Sequence, residues 1–338
     1  MKQPHNLFIY TELLQALMLD DKSRELLMEA QYNFPITDRP FLELARRIGA
    51  TEDWVIETLR RFKEIGLIRR IGALVNYRAR GMVSALVALR VKDYLIDEVA
   101  AEINRDRYVT HNFLRLHNRY NIWYVTKAIS KEELEDKVRR IVDKFTLSPD
   151  DYVILYAEKT YKIDVKFDLN AGVSRAKIRR LPDNNLKIED AGLPLEFYEM
   201  IRSINIVKEP FNEITAKLKI PVSRITELIG VLRDNGVLRD FYAMIDPDLA
   251  GFKANAMITF DISDCEEVAN IDEATHVVKR VIVPGKWNHN CYFMIHAVNY
   301  DIINSIVQDR LSKLGVTKYD VLPSVRNLLP NMARRIEQ

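Results

Sequence analysis

Hydrophobic positions in the first folded stretch of chain change from helical spacing to short apolar runs. A helix is predicted by four apolar residues at helical spacing: Phe41, Leu44, Ala45 and Ile48. Gly49 ends this helix, and Thr51 can cap a second helix over 52–65. The segments 67–70 (Leu-Ile-Arg-Arg) and 73–75 (Ala-Leu-Val) then predict two short strands joined by a tight turn. Two helices followed by a small hairpin are typical of a winged helix-turn-helix unit.

The next stretch switches between strand and helix periods in the order β, α, β, β, α, β. This is the order of a ferredoxin-like split βαβ fold. The elements are predicted at 84–91, 95–105, 109–117, 121–129, 131–145 and 151–162.

The whole arrangement occurs twice along the chain. Residues 40–81 align without a gap on 210–251, with Gly66 on Gly236 and Arg69 on Arg239. The fold class is therefore α+β, a tandem repeat of a winged helix-turn-helix and a ferredoxin-like domain. The second α/β copy is predicted at 255–262, 266–273 (a weaker helix), 277–284, 290–298, 300–314 and 318–326.

Five segments follow from this repeat, and together they make a pseudo-dimer within one chain. Residues 166–190 mix charge, Asn, Gly and Pro without periodicity, which is typical of a linker. The segments are a winged helix at 1–82, an α/β domain at 83–165, the linker at 166–190, a second winged helix at 191–252 and a second α/β domain at 253–338.

Composition narrows the classes of function. The 338 residues are 48% hydrophobic, which is enough for sizeable cores, and the net charge of +2 provides no overall field toward nucleic acid or an anionic membrane. Two cysteines cannot build a disulfide framework or a four-cysteine zinc site, and we expect Cys291 to be a small buried residue. The start has no signal-peptide pattern, and no run approaches the roughly 20 apolar residues that span a bilayer. We expect a cytoplasmic protein without a membrane partner.

Candidate chemistry lies on the strands predicted at 109–117 and 121–129. Side chains alternate along a strand, so His111, Phe113, Arg115 and His117 share one face, opposite Leu114 and Leu116. The helices should cover the leucine face, which leaves the histidine face open. Further residues that can extend this polar face on the neighbouring strand are Asn121, Trp123 and Lys127.

The second half predicts a different surface. When Asn290 is aligned with Asn121, Tyr292 matches Trp123 and His296 matches Lys127. The same alignment sets Arg280 opposite His111 and Lys286 opposite His117. We therefore expect one asymmetric site, with the histidine pair in the first half only.

The residues assembled so far resemble a known family. The segments Phe34-Pro35…Arg39-Pro40-Phe41…Gly66-Leu67-Ile68-Arg69-Arg70-Ile71-Gly72-Ala73 and Val109-Thr110-His111-Asn112-Phe113-Leu114-Arg115…Tyr120-Asn121-Ile122-Trp123 closely resemble siroheme decarboxylases. These are Lrp/AsnC-like proteins of the alternative heme and nitrite-reductase heme pathways. The segment Asn290-Cys291-Tyr292-Phe293-Met294-Ile295-His296-Ala297 resembles the companion subunit, although Arg280 stands where that family has a histidine.

The resemblance implies loss of two carboxyl groups from siroheme acetates as CO2, giving didecarboxysiroheme. His111 and His117 would then be the acids that protonate the carbon, because histidine titrates near the working pH. No separate cofactor and no metal site of the protein is implied, since the tetrapyrrole acts as its own electron sink. The implied substrate contacts are Arg115, Arg70, Lys127 and Arg280 to carboxylates, Trp123 and Tyr292 to the macrocycle, and also Asn121 and His296.

The sequence is also compatible with other roles for these residues and with other functions of the chain. The histidines can be ordinary strand residues, Arg70 a solvated arginine, Trp123 a packing residue between the two α/β domains, and His296 a core histidine. A transcription regulator of the Lrp/AsnC class is the main alternative function, yet both candidate recognition helices balance their basic residues with acids, so nucleic acid is not expected. A siroheme carrier without catalysis is a third function, and association into a further homodimer is compatible with each.

Overall fold

The computed structural model describes residues 19–177 and 186–329. The expected absence of a signal peptide concerns residues 1–18, which lie outside this range. The described chain is an α+β protein that divides into two compact units. One unit contains the described part of Met1–Arg80 together with Asp164–Lys253 and His296–Ile302, and the other contains Gly81–Ile163, Ala254–Ile295 and the described part of Ile303–Gln338. Each unit therefore combines corresponding parts of both repeats.

The helix-turn-helix segments form as the sequence predicts. In the first repeat, Thr51 caps the second helix because its side chain accepts a hydrogen bond from the Trp54 backbone N–H. Gly49 has a φ of 63°, so the turn between the helices uses the left-handed conformation that glycine adopts at little cost. The helices are α1 (Asp21–Tyr32), α2 (Pro40–Arg47) and α3 (Glu52–Glu64) in the first repeat, and α6 (Leu195–Arg202), α7 (Asn212–Leu218) and α8 (Val222–Asp234) in the second.

The predicted wing hairpin is wrong. Residues Ile68–Val75 form one continuous strand, β1, which pairs antiparallel with its counterpart β8 (Leu238–Ile245) from the other repeat. Gly72, expected near a turn, pairs instead with Tyr242 in this two-stranded ribbon. The backbone hydrogen bonds that a wing would make locally are made between the two repeats, which joins both helix-turn-helix segments into one core.

Gly72 is required where this ribbon meets α6. A Cβ at this position would overlap the backbone carbonyl of Arg202, a group that cannot move as a flexible side chain can. We expect Gly72→Ala to lower the free energy of unfolding by about 1–3 kcal/mol or more, measured by urea denaturation. Gly230→Ala in α8 is the matched control. Among the described residues, apart from the chain neighbours of Gly230 and the backbone of its own helix, no atom lies within 4 Å of that Cβ, so the same substitution should stabilise by about 1 kcal/mol. Equal effects at both glycines would contradict this account.

The first α/β repeat has the predicted order of elements. Its strands β2 (Val83–Leu89), β3 (His111–Arg115), β4 (Ile122–Ala128) and β5 (Tyr152–Ile163) are antiparallel and lie in the order β5-β2-β4-β3, with both helices on one face. Ile122, Tyr124 and Leu134 are among the apolar residues in the core between helices and sheet. The helices are α4 (Ile96–Ile103) and α5 (Lys131–Lys144).

The second α/β repeat differs in its first helix and in its cysteines. A short 3-10 helix, Glu267–Asn270, stands where the first repeat has α4. Cys265, just before it, forms a disulfide with Cys291. Cys291 is buried, as the sequence predicts, but its disulfide was not predicted. The elements are β9 (Ala254–Phe260), β10 (His276–Arg280), β11 (Cys291–Ala297), α9 (Tyr300–Lys313) and β12 (Tyr319–Asn327).

The two four-stranded sheets join at both edges. Strand β3 pairs with β12 and strand β5 pairs with β10, so eight strands close into a ring. The faces that the helices leave uncovered point into this ring, because they carry apolar residues that water would otherwise contact. The core inside the ring includes Leu86, Ala88, Trp123, Leu155, Met257, Tyr292 and Leu322.

Part of the predicted linker is folded. Strands β6 (Phe167–Asp168) and β7 (Val173–Ser174) form a short hairpin, and Phe167 is buried in the core of the helix-turn-helix unit. Residues 178–185 lie outside the described range. In the described part of the chain, no helix has the length and apolar character needed to cross a membrane.

Candidate functional site

Strands β3 and β4 place the predicted residues on the expected faces. His111 pairs with Val125 and Phe113 pairs with Trp123, so these four side chains lie on one face. Leu114 belongs to the helix-covered core on the other face. The alternation predicted from the sequence is confirmed for 111–115, but the prediction for Leu116 is wrong, because this residue lies beyond the end of β3 and is 63% exposed.

The expectation that the histidine face is open is wrong. Trp123, on that face, is only 1% exposed, because the second repeat covers it when the ring closes. Any chemistry on this face therefore takes place inside the ring, where water is scarce and charged groups interact more strongly than in solution.

The second repeat places a histidine and an arginine at the positions equivalent to His111 and Arg115. They are His276 and Arg280, the first and last residues of β10, as His111 and Arg115 are of β3. In each repeat a threonine hydroxyl contacts the histidine Nδ1, at 3.1 Å from Thr110 to His111 and at 3.0 Å from the neighbouring Thr275 to His276. The predicted match of Arg280 to His111 is therefore wrong.

This equivalence carries a sequence signal that a gap-free alignment missed. The pattern Thr-His-x-x-x-Arg occurs at 110–115 and again at 275–280. The connection that follows is longer in the second half, 281–290 against 116–121, so an alignment fixed on Asn121 and Asn290 shifts the preceding strand. The histidine at this position is present twice, and the expectation of an acid pair confined to the first half does not hold for it.

The two equivalent histidines face each other inside the ring. The centroids of the His111 and His276 rings are 6.1 Å apart and the planes are nearly perpendicular. Both side chains are half-buried. One ligand atom can therefore lie within reach of an imidazole from each repeat.

The arginines of the two patterns are also used equivalently. Arg115 Nη1 donates to the Leu322 carbonyl and Arg280 Nη1 donates to the Leu155 carbonyl, each at 3.0 Å. Each guanidinium therefore links its own repeat to the last strand of the other repeat, Arg115 to β12 and Arg280 to β5. Both arginines are buried, and each lies against an aromatic ring, Arg115 on Phe113 and Arg280 on Tyr292.

His117 lies in a separate cluster beyond the end of β3. Its Nδ1 accepts hydrogen bonds from the backbone N–H groups of Arg119 and Tyr120, at 3.2 and 3.3 Å. Its Nε2 is 3.8 Å from Asp320 Oδ2, and His289 Nδ1 is 3.7 Å from the same oxygen. Burial lowers the pKa of His117, with Asp320 opposing. The two backbone donors hold the neutral ring with its proton on Nε2.

The aromatic candidates are packed side chains in the ring. Trp123 Nε1 donates to the Tyr120 carbonyl at 3.1 Å, and its ring lies 5.0 Å from that of Trp287. The Tyr292 hydroxyl donates to the His289 carbonyl at 3.0 Å, and burial raises the pKa of Tyr292. The sequence alternative that Trp123 packs between the two α/β repeats agrees with this arrangement.

Among the other predicted residues, Asn121 and Lys286 bond to backbone, whereas Lys127 lies on the same face as His111. The Asn121 side chain donates through Nδ2 to the Val91 carbonyl and accepts at Oδ1 from the Val91 backbone N–H. Asn290 makes the same two hydrogen bonds with Ile262 in the other repeat. Lys127 is half-buried, and the direction of strand β4 puts it on the face of Trp123. The aligned Lys286 donates to the carbonyls of Pro149 and Tyr152.

Two predicted contacts belong to the helix-turn-helix unit. Arg70 donates to the carbonyls of Ala73 and Arg202, and His296 lies against the Phe167 ring, 5.5 Å between centroids. Both side chains are buried within that unit.

Metal binding by the protein itself has no support in the described ranges. Within residues 19–177 and 186–329, no group of three or more His, Cys, Asp or Glu side chains is arranged to hold a metal ion. The candidate side chains described above are imidazoles, guanidiniums and aromatic rings.

Comparison with protein families matches the helix-turn-helix part of the first repeat and the α/β part of both repeats. Residues 23–69 match the family described as siroheme decarboxylase NirDL-like HTH domain. Residues 79–162 and 249–328 match the AsnC-like ligand binding domain. The second family therefore occurs twice, once in each α/β repeat.

Individual relatives agree with these family matches. Siroheme decarboxylase of Hydrogenobacter thermophilus is 28% identical over 309 residues, covering 88% of this chain and 89% of the relative. The siroheme decarboxylase alpha subunit of Desulfovibrio desulfuricans is 37% identical over 153 residues, covering 45% of this chain and 86% of that subunit. The crystal structure of siroheme decarboxylase NirDL with an iron-uroporphyrin III analogue has the same fold, with a TM-score of 0.60, 23% identity and coverage of 94% of this chain and 96% of that one.

Proposed function

Because the chain belongs to the siroheme decarboxylase family, we propose that it is a carboxy-lyase that converts siroheme to didecarboxysiroheme in heme biosynthesis. The observation that carries the proposal is the pair of imidazoles, His111 and His276, held at 6.1 Å between ring centroids with a buried arginine on each strand. A protonatable pair among fixed positive charges suits a substrate that is itself a polycarboxylate.

The reaction needs a proton at a defined carbon. When an acetate side chain of siroheme loses CO2, the C–C bond breaks and its electron pair remains on the exocyclic carbon, delocalised into the macrocycle. An imidazolium then delivers a proton, which forms the new C–H bond and leaves a methyl group. Two such events release two molecules of CO2. The substrate serves as the electron sink, so the proposal includes no further cofactor.

His111 is the acid that we assign to this step. A general acid must be protonated before it donates, and at His111 Nδ1 the Thr110 hydroxyl, 3.1 Å away, can accept a hydrogen bond from a protonated nitrogen as well as donate one. Protonation of His117 would place a proton on the nitrogen that accepts from Arg119 and Tyr120. That geometry opposes the charged form, so we assign His117 a donor role through its neutral Nε2–H.

Carboxylates that do not react need anchors. Arg115 and Arg280 have guanidinium groups within the ring, and Lys127 adds an ammonium group on the same face of β4. Charge-assisted hydrogen bonds from these groups would orient the reacting acetate toward His111. Trp123 and Tyr292 provide the aromatic surface beside them. Arg70 and His296 are left out because they belong to the helix-turn-helix unit, and Asn121 is left out because both polar atoms of its side chain bond the Val91 backbone.

The proposal is tested by anaerobic incubation of the purified chain with siroheme, followed by mass spectrometry of the tetrapyrrole. Loss of two CO2 is the expected result. A siroheme complex with the characteristic absorption but an unchanged tetrapyrrole mass would identify a carrier and refute the decarboxylase.

The regulator alternative is disfavoured by the contacts of α3, the candidate recognition helix. Asp53 pairs with Lys208 at 2.8 Å, and Glu52 pairs with Arg39. Arg60 donates to the Ile206 carbonyl at 2.8 Å. The amino-terminal residues that read bases in a helix-turn-helix protein are here acidic and paired within the same unit. We expect no salt-dependent retention on DNA, and such retention would favour the regulator.

A further inference from the structure

Two arginines occupy equivalent positions on the ribbon formed by β1 and β8, but only one has a carboxylate partner. Arg69 of the first repeat corresponds to Arg239 of the second, and Asp246 corresponds to Asn76. Arg69 donates through Nε and Nη2 to Asp246 Oδ2, at 3.1 and 2.8 Å. The ribbon therefore has an arginine in both repeats but a carboxylate partner, Asp246, for only one of them.

The arginine without a carboxylate is the more buried of the two. Arg239 is 8% exposed, its Nη2 is 3.4 Å from Asn76 Oδ1, and its Nε has no hydrogen-bond partner. Asn76 is committed elsewhere, since its Nδ2 donates to the Gly236 carbonyl and its Oδ1 accepts from the Arg78 backbone N–H. The guanidinium also lies over the Tyr77 ring, at 5.2 Å.

The charge balance around Arg239 is unfavourable in the described part of the chain. No carboxylate among the described residues contacts it, and burial, together with the nearby charge of Arg78, lowers the pKa of Arg239 to about 10. Arginine retains its proton in proteins, so the cost of burying this charge is not relieved by deprotonation. A counter-anion from solution would relieve it.

We propose that Arg239, in the helix-turn-helix unit, binds a small oxyanion in place of the carboxylate that Asp246 supplies to Arg69. Its Nε–H is buried without a hydrogen-bond partner, and Nη2 makes only a long contact to an amide oxygen, so the edge of the guanidinium that holds Asp246 in the other half has unused donors for the ligand. This fork matches phosphate and carboxylate oxygens in both geometry and charge. The shared chemistry is an oxyanion, supplied either by a phosphate or by a carboxylate compound. This site is independent of the proposed decarboxylation.

The test compares thermal unfolding of the full chain in phosphate, in acetate and in chloride at equal ionic strength. Phosphate or acetate at about tenfold its Kd should raise the Tm by about 2–4 °C over chloride. A larger shift in phosphate identifies a phosphate site, and a larger shift in acetate identifies a carboxylate site. Equal Tm values in all three salts would overturn the proposal.

Two reciprocal variants make the test specific. Asn76→Asp supplies the missing carboxylate, so it should raise the Tm in chloride and abolish the response to either oxyanion. Asp246→Asn removes the carboxylate from Arg69 and should create a second response. An unchanged response in Asn76→Asp would place the anion elsewhere and overturn the assignment. If Asn76→Asp fails to fold, Asp246→Asn provides the test by itself. A Tm increase in phosphate or acetate identical to that of the unmodified chain would then overturn the assignment.

Discussion

Replacing His111 with glutamine should lower the rate of CO2 release from siroheme by about 10²–10⁴-fold, the usual contribution of a positioned general acid. Glutamine has a similar length and can still donate a hydrogen bond, but it cannot supply a proton to carbon. Siroheme binding, followed by the absorption of the complex, should be retained because the arginine anchors are unchanged. Single-turnover assays under anaerobic conditions measure both quantities.

Thr110→Val provides a graded control for the same position. It removes the hydroxyl that lies 3.1 Å from His111 Nδ1 but leaves the imidazole in place. The loss of one hydrogen bond, worth about 1 kcal/mol, should slow the reaction by about fivefold. Full activity in His111→Gln would remove His111 from the mechanism, whatever the effect at Thr110.

The disulfide of the second repeat should contribute about 3–4 kcal/mol to stability. Cys265 and Cys291 are 26 residues apart in sequence, and the cross-link restricts that loop in the unfolded chain. Besides β10, this loop contains the short 3-10 helix Glu267–Asn270, which buries two apolar residues where the full helix α4 of the first repeat buries four. The double variant Cys265→Ser, Cys291→Ser should therefore unfold at lower denaturant concentration.

Chemical reduction separates the cross-link from the substitutions. The reduced chain and the double variant should have the same free energy of unfolding in guanidinium chloride, and reductant should not affect the variant. A chain whose stability is the same with and without reductant would contradict the expected contribution. The residue of the first repeat that corresponds to Cys291 is Ile122, so the first repeat cannot form the equivalent disulfide.

Local patterns predicted the parts of the fold that depend on local physics. The spacing of Phe41, Leu44 and Ile48, with Thr51 as a cap, specifies helices whatever lies further along the chain. The alternation from His111 to Arg115 likewise specifies which side chains share a face. These predictions are confirmed because periodicity is a property of the segment itself.

Contacts between segments that are far apart in the sequence were not predictable in the same way. Residues 67–75 have the same apolar pattern whether they fold back as a wing or pair with β8. The face carrying Trp123 has the same alternation whether it is open or covered by the second repeat. Both outcomes depend on what the other half presents, which periodicity does not encode.

The equivalence of His111 and His276 was missed for a different reason, namely an alignment without gaps. His276 stands in a short pattern whose match to His111 requires a gap, and the structure supplies that gap in the longer connection 281–290. An alignment of the Thr-His-x-x-x-Arg pattern alone would have paired the two histidines. The disulfide had no such signal, because two cysteines give no information on their distance in the fold.

Deuterium content of the product tests the central claim most directly. An acid that protonates the carbon exchanges its proton with solvent, so turnover of siroheme in anaerobic D2O should give a tetrapyrrole that has lost two CO2 and carries one deuterium in each new methyl group. Siroheme recovered with all its carboxyl groups and no deuterium on carbon, despite forming a complex with the chain, would contradict the account.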